Sequence, residues 1–156
     1  MKLKSDNIYT SGIEYFFNPK SIAIVGASKN LTKFGGRPIS ALLKKKYTGT
    51  VYPINGRYKE IAGLTCYPSV HDVPGEIDFA IISVPIERTL EALQQCAEKG
   101  VKAAVVFTSG FAETGDGRSV GFFLVVSRSQ DLNAASMALA AKKAGLGTEM
   151  AGGFLR

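Results

Sequence analysis

Short apolar runs alternate with amphipathic segments between residues 21 and 107, and this alternation predicts βαβ units around a parallel sheet. Four of the runs predict strands, at residues 21–25, 50–54, 77–83 and 101–107. One helix is expected to begin at Pro38. A second is expected to begin at Pro85 and end before Gly100, with an apolar stripe of helical period formed by Ile86, Leu90, Leu93 and Ala97. The pattern therefore predicts an α/β fold, a single Rossmann-like domain with a doubly wound, mainly parallel sheet.

The segments outside this alternation predict further elements. Residues 1–12 contain few apolar side chains and are expected to form a leader, so that the domain spans residues 13–156. A short strand is predicted at 64–67 and another at 120–126, and Asp131 is a candidate N-cap for a helix through residues 132–143.

Composition narrows the class of protein. A chain of 156 residues with 46% apolar and 21% charged residues is typical of one globular domain, which excludes disordered and collagen-like proteins. No apolar run reaches the length of a membrane span, and no apolar stretch follows the N-terminal lysines as in a secretory signal. Cys66 and Cys96 fit neither redox nor zinc spacing. A cytoplasmic protein without a membrane partner is therefore expected.

The charge balance favours anionic partners. Lysine and arginine outnumber aspartate and glutamate by 19 to 13, which gives a net charge of +6. The basic run 44–46 is predicted to complete the dipole at a helix C-terminus. Since only Tyr47 and Tyr52 lie near it, the interleaved aromatic and basic residues of a nucleic-acid surface are missing, and no nucleic-acid partner is expected.

The loop after the first strand is a candidate phosphate site. In a doubly wound sheet, ligands bind at the carboxyl ends of the strands, and this loop runs from Gly26 to Gly36 between a strand and a helix. Ser28 and Lys29 add a hydroxyl group and a cation. The loop is not a dinucleotide fingerprint, because Ser28 replaces the second glycine, and it contains no Walker A motif. A plain glycine turn remains the alternative.

The end of the second strand is informative because it carries no carboxylate. A domain that binds NAD places an acidic residue there to hold the ribose hydroxyls, whereas this chain has Asn55, Arg57 and Lys59. Cations at this position suit a nucleotide with an additional ribose phosphate, either NADP or coenzyme A. Solvated loop charges are the alternative interpretation.

Catalytic chemistry is not evident in the sequence. His71 is the only histidine, it is predicted to lie in a short surface helix, and no nucleophile pattern accompanies it. Neither a catalytic residue nor a metal site is therefore predicted.

Seven segments together resemble a known family; they are residues 15–28, 33–37, 51–55, 66–70, 83–85, 98–106 and 109–115. They resemble the coenzyme A-binding domain of NDP-forming acyl-CoA synthetases, the ligase family that includes ADP-forming acetyl-CoA synthetase and the α subunit of succinyl-CoA synthetase. The resemblance is clear from residue 13 to about residue 117, and the following segments match less well.

The resemblance implies a coenzyme A site in four loops. The residues expected at the pyrophosphate are Gly26, Ala27, Ser28 and Lys29. The nucleotide end is expected beside Asn55 and Arg57, with Arg57 or Lys59 facing the ribose 3′-phosphate. Val84 and Pro85 are expected to pack on adenine or pantetheine. The pantetheine arm is expected to be lined by Thr108, Ser109 and Gly110.

The resemblance also implies a role. The family converts a carboxylate, coenzyme A and a nucleoside triphosphate into acyl-CoA, nucleoside diphosphate and phosphate through a phosphohistidine. The phosphohistidine and ATP-grasp parts have no counterpart in these 156 residues, so the chain is expected to orient coenzyme A and to be inactive without an ATP-grasp subunit or domain. A stand-alone or regulatory coenzyme A module is the alternative, an NADP-dependent oxidoreductase domain is less favoured, and a homo-oligomer is left open.

Overall fold

The computed structural model describes residues 13–109 and 120–126, which contain three helices and seven strands. In chain order the elements are α1 (Ile13–Phe17), β1 (Ser21–Val25), α2 (Arg37–Lys44), β2 (Thr50–Ile54), β3 (Glu60–Ile61), β4 (Leu64–Thr65), β5 (Phe79–Ile82), α3 (Ile86–Lys99), β6 (Ala103–Ser109) and β7 (Val120–Val126). The leader at 1–12 and the helix at 132–143 lie outside the described residues. None of the described helices is long and apolar enough to cross a bilayer.

The main sheet has the strand order β2-β1-β5-β6-β7. The first four strands are parallel, and β7 pairs antiparallel with β6. From β1 the chain moves outward to β2 and then crosses back to β5 on the other side of β1. The strand order therefore reverses between β1 and β5, which creates a topological switch point at their carboxyl ends. The predicted α/β fold with a mainly parallel sheet is confirmed.

Each face of the sheet is covered by a different helix. On one face, Ile22 and Ile24 of β1 belong to a core cluster with Ile39 of α2. On the other face, Val25 of β1 belongs to a cluster with Leu93 of α3. Because both faces are covered, all five residues of β1 are buried, which explains its nearly continuous apolar sequence.

Helix α3 forms as predicted, and its buried face includes Leu93 and Ala97 of the predicted apolar stripe. Gly100 ends it at a left-handed φ of 77°, and its N–H group donates to the carbonyl of Ala97 at 3.1 Å. Ile86 and Leu90 of the predicted apolar stripe are only half-buried. The buried residues are Thr89, Ala92, Leu93, Cys96 and Ala97. Thr89 is tolerated inside because its hydroxyl donates to the carbonyl of Pro85 at 3.2 Å.

One local prediction is confirmed only in part and another is wrong. The strand expected at 64–67 forms over Leu64–Thr65 only, as β4, which pairs with β3 in a separate two-stranded ribbon. His71 lies in a turn and not in a helix. In this turn the Asp72 N–H group donates to the Ser69 carbonyl at 3.3 Å, and the Asp72 carboxylate accepts hydrogen bonds from the Ser69 N–H and hydroxyl groups at 3.0 and 2.8 Å. The His71 Nε2 atom lies 3.0 Å from the Glu98 carboxylate on α3, so this turn contacts the helix.

Candidate functional site

The loops after β1 and β5 touch at the switch point. Gly26 has a φ of 83°, and a Cβ atom there would overlap the carbonyl oxygen of Ser83 and lie 2.8 Å from Val84 Cγ1. The Ser83 N–H group also donates to the carbonyl of Val25 at 2.8 Å. Glycine is therefore required at position 26 both by its backbone conformation and by this close approach.

Asn55 connects the loops after β1 and β2. Its Nδ2 group donates to the carbonyl of Ala27 at 2.8 Å, and its Oδ1 atom accepts the N–H of Arg57 at 3.0 Å. Its own N–H group donates to the carbonyl of Tyr67 at 2.9 Å. The amide side chain thus sets the relative position of both loops at the carboxyl edge of the sheet.

The loop from Gly26 to Gly36 uses its first amides for its own structure. The N–H groups of Gly26 and Ala27 both donate to the carbonyl of Ile54, at 3.0 and 3.1 Å, and the N–H of Ser28 donates to the carbonyl of Gly35 at 3.3 Å. Ala27 is fully buried. The Ser28 hydroxyl accepts the N–H of Asn30 at 3.1 Å, which leaves its proton available to an anion. A phosphate would therefore meet side chains and later amides of this loop.

Cations without acidic partners surround these loops. The loops at residues 26–36 and 55–59 contain the cations Lys29, Lys33, Arg57 and Lys59 and no acidic residue. Lys29 lies over the ring of Tyr58, with Nζ 5.2 Å from the ring centroid. Arg57 and Lys59 are exposed, and neither forms a salt bridge with another described residue. This edge of the sheet therefore attracts anions.

A cleft of about 200 Å³ opens beside the switch point. Of the predicted site residues, the cleft brings together Gly26, Asn55 and Val84. Those that do not line it are Ala27, Ser28, Lys29, Arg57, Lys59 and Pro85. Thr108 and Ser109 form the end of β6, and Gly110 lies outside the described residues.

The cleft also contains residues that the sequence did not single out. They include Ser69 from the turn after β4 and Arg88, Glu91 and Gln95 from α3. Arg88 comes three residues after Pro85, which was a predicted site residue, and this proximity was the only available signal.

One feature at the switch point fits a bound ligand. The Ser83 hydroxyl oxygen is buried and has no hydrogen-bond partner among the described residues. A buried polar atom left without a partner is unusual and suits a group that meets a ligand.

Nucleophilic or metal chemistry has no comparable support. Burial raises the pKa of the Cys66 thiol, which donates weakly to the carbonyl of Asn55 at 3.6 Å. Burial raises the pKa of Cys96 to about 12. Neither thiol is therefore an activated nucleophile. In the part of the chain that the structure describes, no group of three or more histidine, cysteine or acidic residues is arranged to hold a metal ion.

A doubly wound sheet with a cleft at its switch point and cations at the adjacent loops is typical of a domain that binds a phosphorylated nucleotide. The family described as "CoA binding domain" matches residues 20–152. The chain belongs to this family and is a coenzyme A-binding domain.

Three similar proteins place the chain more narrowly. It is 46% identical over 104 residues to the α subunit of ADP-forming acetate–CoA ligase II from Pyrococcus furiosus, covering 67% of this chain and 22% of that protein. The dinucleotide-forming acetyl-coenzyme A synthetase 1 of Ca. Korarchaeum cryptofilum, in its apo form, superposes with a TM-score of 0.65 at 41% identity, covering 83% of this chain and 26% of that chain. A hypothetical protein from Pyrococcus horikoshii OT3 superposes with a TM-score of 0.53 at 35% identity, covering 59% of this chain and 63% of that chain.

These comparisons confirm the predicted family. The chain is homologous to part of the ADP-forming acetate–CoA ligases and spans between 14% and 23% of the length of five such ligases or subunits. Coenzyme A is the ligand of the family, as the sequence resemblance implied.

Proposed function

We propose that this chain is the coenzyme A-binding module of an ADP-forming acyl-CoA synthetase. In this role it binds coenzyme A and orients the thiol, while an ATP-grasp subunit or domain activates the carboxylate in the cytoplasm. The observation that carries the proposal is the cleft at the switch point, which has Asn55 and not a carboxylate at the end of β2. A phosphorylated ribose is compatible with this neutral edge, whereas the ribose of NAD calls for an acidic partner.

The predicted residues have complementary roles in this proposal. Ser28 and Lys29 hold the pyrophosphate by a hydroxyl donor and a cation, and Gly26 and Ala27 form the backbone beneath it. Arg57 and Lys59 lie at the rim and attract the phosphates. Val84 and Pro85 pack on adenine or pantetheine, and Thr108, Ser109 and Gly110 line the pantetheine arm.

Coenzyme A supplies the reacting thiol, and the residues of this chain bind and orient it. Holding a thiol in a productive position converts a bimolecular encounter into an effectively unimolecular one. The charged groups that line the cleft are Arg88 and Glu91, and the Glu91 carboxylate already accepts a hydrogen bond from Gln95 at 3.2 Å. The module therefore contributes binding energy and geometry, and the acid–base chemistry is assigned to its partner.

A stand-alone coenzyme A module is the second candidate. It is supported by the similar hypothetical protein from P. horikoshii, of which this chain covers 63%, compared with 22% of the P. furiosus ligase subunit. The two candidates differ in whether coenzyme A binding promotes association with an ATP-grasp protein. Sedimentation of the chain mixed with the ATP-grasp subunit of a similar acyl-CoA synthetase, with and without coenzyme A, separates them.

Both candidate functions require coenzyme A binding, and thermal unfolding with four ligands tests that binding. Coenzyme A at about 100-fold over Kd adds ~2.7 kcal/mol of stability, which raises Tm by roughly 5–10 °C for a domain of this size. The expected order of Tm increase is coenzyme A above dephospho-coenzyme A, with none from NAD or NADP. A Tm increase with NADP and none with coenzyme A would contradict the proposal.

A further inference from the structure

The cleft contains a cation whose role the predicted site does not explain. Arg88 lies in the first turn of α3 and lines the cleft together with Asn55 and Ser69. Its guanidinium group has neither a salt bridge nor a side-chain hydrogen bond with any described residue. A guanidinium group presents its N–H donors in a planar fork that matches two oxygens of a phosphate.

The neighbouring polar groups are already engaged. The Glu91 carboxylate, one helical turn further on, accepts a hydrogen bond from Gln95 at 3.2 Å. The Ser69 hydroxyl donates to the Asp72 carboxylate at 2.8 Å. Gln95 is a neutral donor, so Glu91 keeps its negative charge. Arg88 is the one cation in the described lining of this cleft and forms no salt bridge there, so an anion is the ligand that would pair with it.

The position of Arg88 indicates which phosphate it meets. The lining that it shares with Asn55 and Gly56 lies at the end of β2, where a doubly wound sheet places the ribose of a bound nucleotide. The pyrophosphate is assigned to the loop after β1. Arg57 and Lys59, the cations that follow β2 in the chain, do not line the cleft.

We propose that Arg88 binds the ribose 3′-phosphate of coenzyme A and that Arg57 and Lys59 do not. This inference rests on the proposed function, because it presupposes that coenzyme A occupies the cleft. It assigns the discrimination between coenzyme A and dephospho-coenzyme A to a residue of α3.

Titration calorimetry with the two ligands tests the assignment. Wild type, Arg88→Ala, Arg57→Ala and Lys44→Ala are each titrated with coenzyme A and with dephospho-coenzyme A at one salt concentration. Arg57→Ala and Lys44→Ala remove the same charge outside the cleft, and Lys44 lies on α2. Because Arg88 is exposed, its removal is expected to leave Tm in the absence of ligand nearly unchanged.

The expected result is selective. Arg88→Ala weakens coenzyme A by about 10- to 100-fold, the usual range for a hydrogen bond to a charged group, and leaves dephospho-coenzyme A within about 2-fold. Arg57→Ala and Lys44→Ala weaken both ligands slightly and equally, and Arg88→Lys retains part of the selectivity.

Three outcomes would overturn the assignment. Equal losses of both ligands with Arg88→Ala would move the contact to the pyrophosphate. A selective loss with Arg57→Ala, and none with Arg88→Ala, would return the 3′-phosphate to the loop after β2. If wild type binds coenzyme A and Arg88→Ala binds it equally well, Arg88 has no role in binding. Failure of wild type to bind either ligand would instead refute the proposed function.

Discussion

Among the residues that the structure describes, three glycines with positive φ provide an internal test of the switch-point geometry. Gly26, Gly63 and Gly100 have nearly the same φ, at 83°, 80° and 77°. A Cβ atom at Gly63 or Gly100 would meet nothing within 4 Å, whereas at Gly26 it would overlap the carbonyl oxygen of Ser83. Alanine at the three positions therefore carries the same backbone cost and a different steric cost.

The magnitudes follow from these contacts. The left-handed conformation costs a non-glycine residue about 1–2 kcal/mol, which is the whole expected effect of Gly63→Ala and Gly100→Ala. Gly26→Ala adds about 1–3 kcal/mol, because the obstacle is backbone and cannot move aside as a side chain can. We expect Gly26→Ala to lose about 2–5 kcal/mol of unfolding free energy in total.

Urea unfolding of the three variants measures these free energies, and thermal unfolding with coenzyme A measures the site. Gly63→Ala and Gly100→Ala should keep the Tm increase given by coenzyme A, because neither residue lies at the carboxyl edge of the main sheet. Gly26→Ala should lose it, since the Ser83–Val84 segment must move. Equal destabilisation of all three variants, with coenzyme A binding retained, would refute the close approach.

Three further predictions concern residues outside that contact. Asn55→Asp should destabilise the fold by about 1–3 kcal/mol in urea unfolding, because a carboxylate cannot donate to the Ala27 carbonyl, and should also weaken coenzyme A binding; unchanged stability would contradict the role of that bond. Both free thiols are buried, so Cys66 and Cys96 should react with a disulfide reagent at pH 8 only slowly until the protein is unfolded, and rapid labelling of Cys96 would contradict its pKa of about 12. The hydrogen bonds that Lys102 donates to the Glu76 and Asp78 carboxylates raise its pKa. The stabilisation from these bonds, less than about 1 kcal/mol for a partly exposed group, is complete below the unfolded pKa and is lost as pH rises through the folded one. The stability difference between wild type and Lys102→Met should therefore shrink as pH rises above the ordinary lysine pKa of 10.5, and a difference that grows there would contradict this sign.

The central strands were predictable because a strand that is buried on both faces has a nearly continuous run of apolar residues. The strands Ser21–Val25 and Thr50–Ile54 have the predicted bounds. The strand predicted at 101–107 begins two residues later, at Ala103. Short apolar runs establish that a strand exists, and hydrogen bonds to neighbouring strands decide where pairing starts.

The predictions that were wrong or incomplete concern features that depend on contacts between residues, and a local sequence pattern does not show such contacts. The turn at His71 exists because Asp72 reaches back to Ser69, and the same residues can equally form a helical turn. The buried face of α3 keeps Leu93 and Ala97 of the predicted stripe and adds Thr89, a polar residue that can be buried because its hydroxyl donates to the carbonyl of Pro85. The periodicity of α3 also does not show which turn of the helix lies beside the cleft. Arg88 was therefore not predicted as a site residue.

Asn55 contributes both to the structure of the loops and to the choice of ligand. The end of β2 needs a hydrogen-bond donor to the Ala27 carbonyl and an acceptor for the Arg57 N–H, and an asparagine side chain supplies both. An aspartate, the residue that would hold the ribose hydroxyls of NAD, supplies only the acceptor. The bond that joins the loops after β1 and β2 therefore also keeps negative charge away from the end of β2. At this edge of the sheet, the requirements of the loop structure and of a phosphorylated ribose select the same side chain.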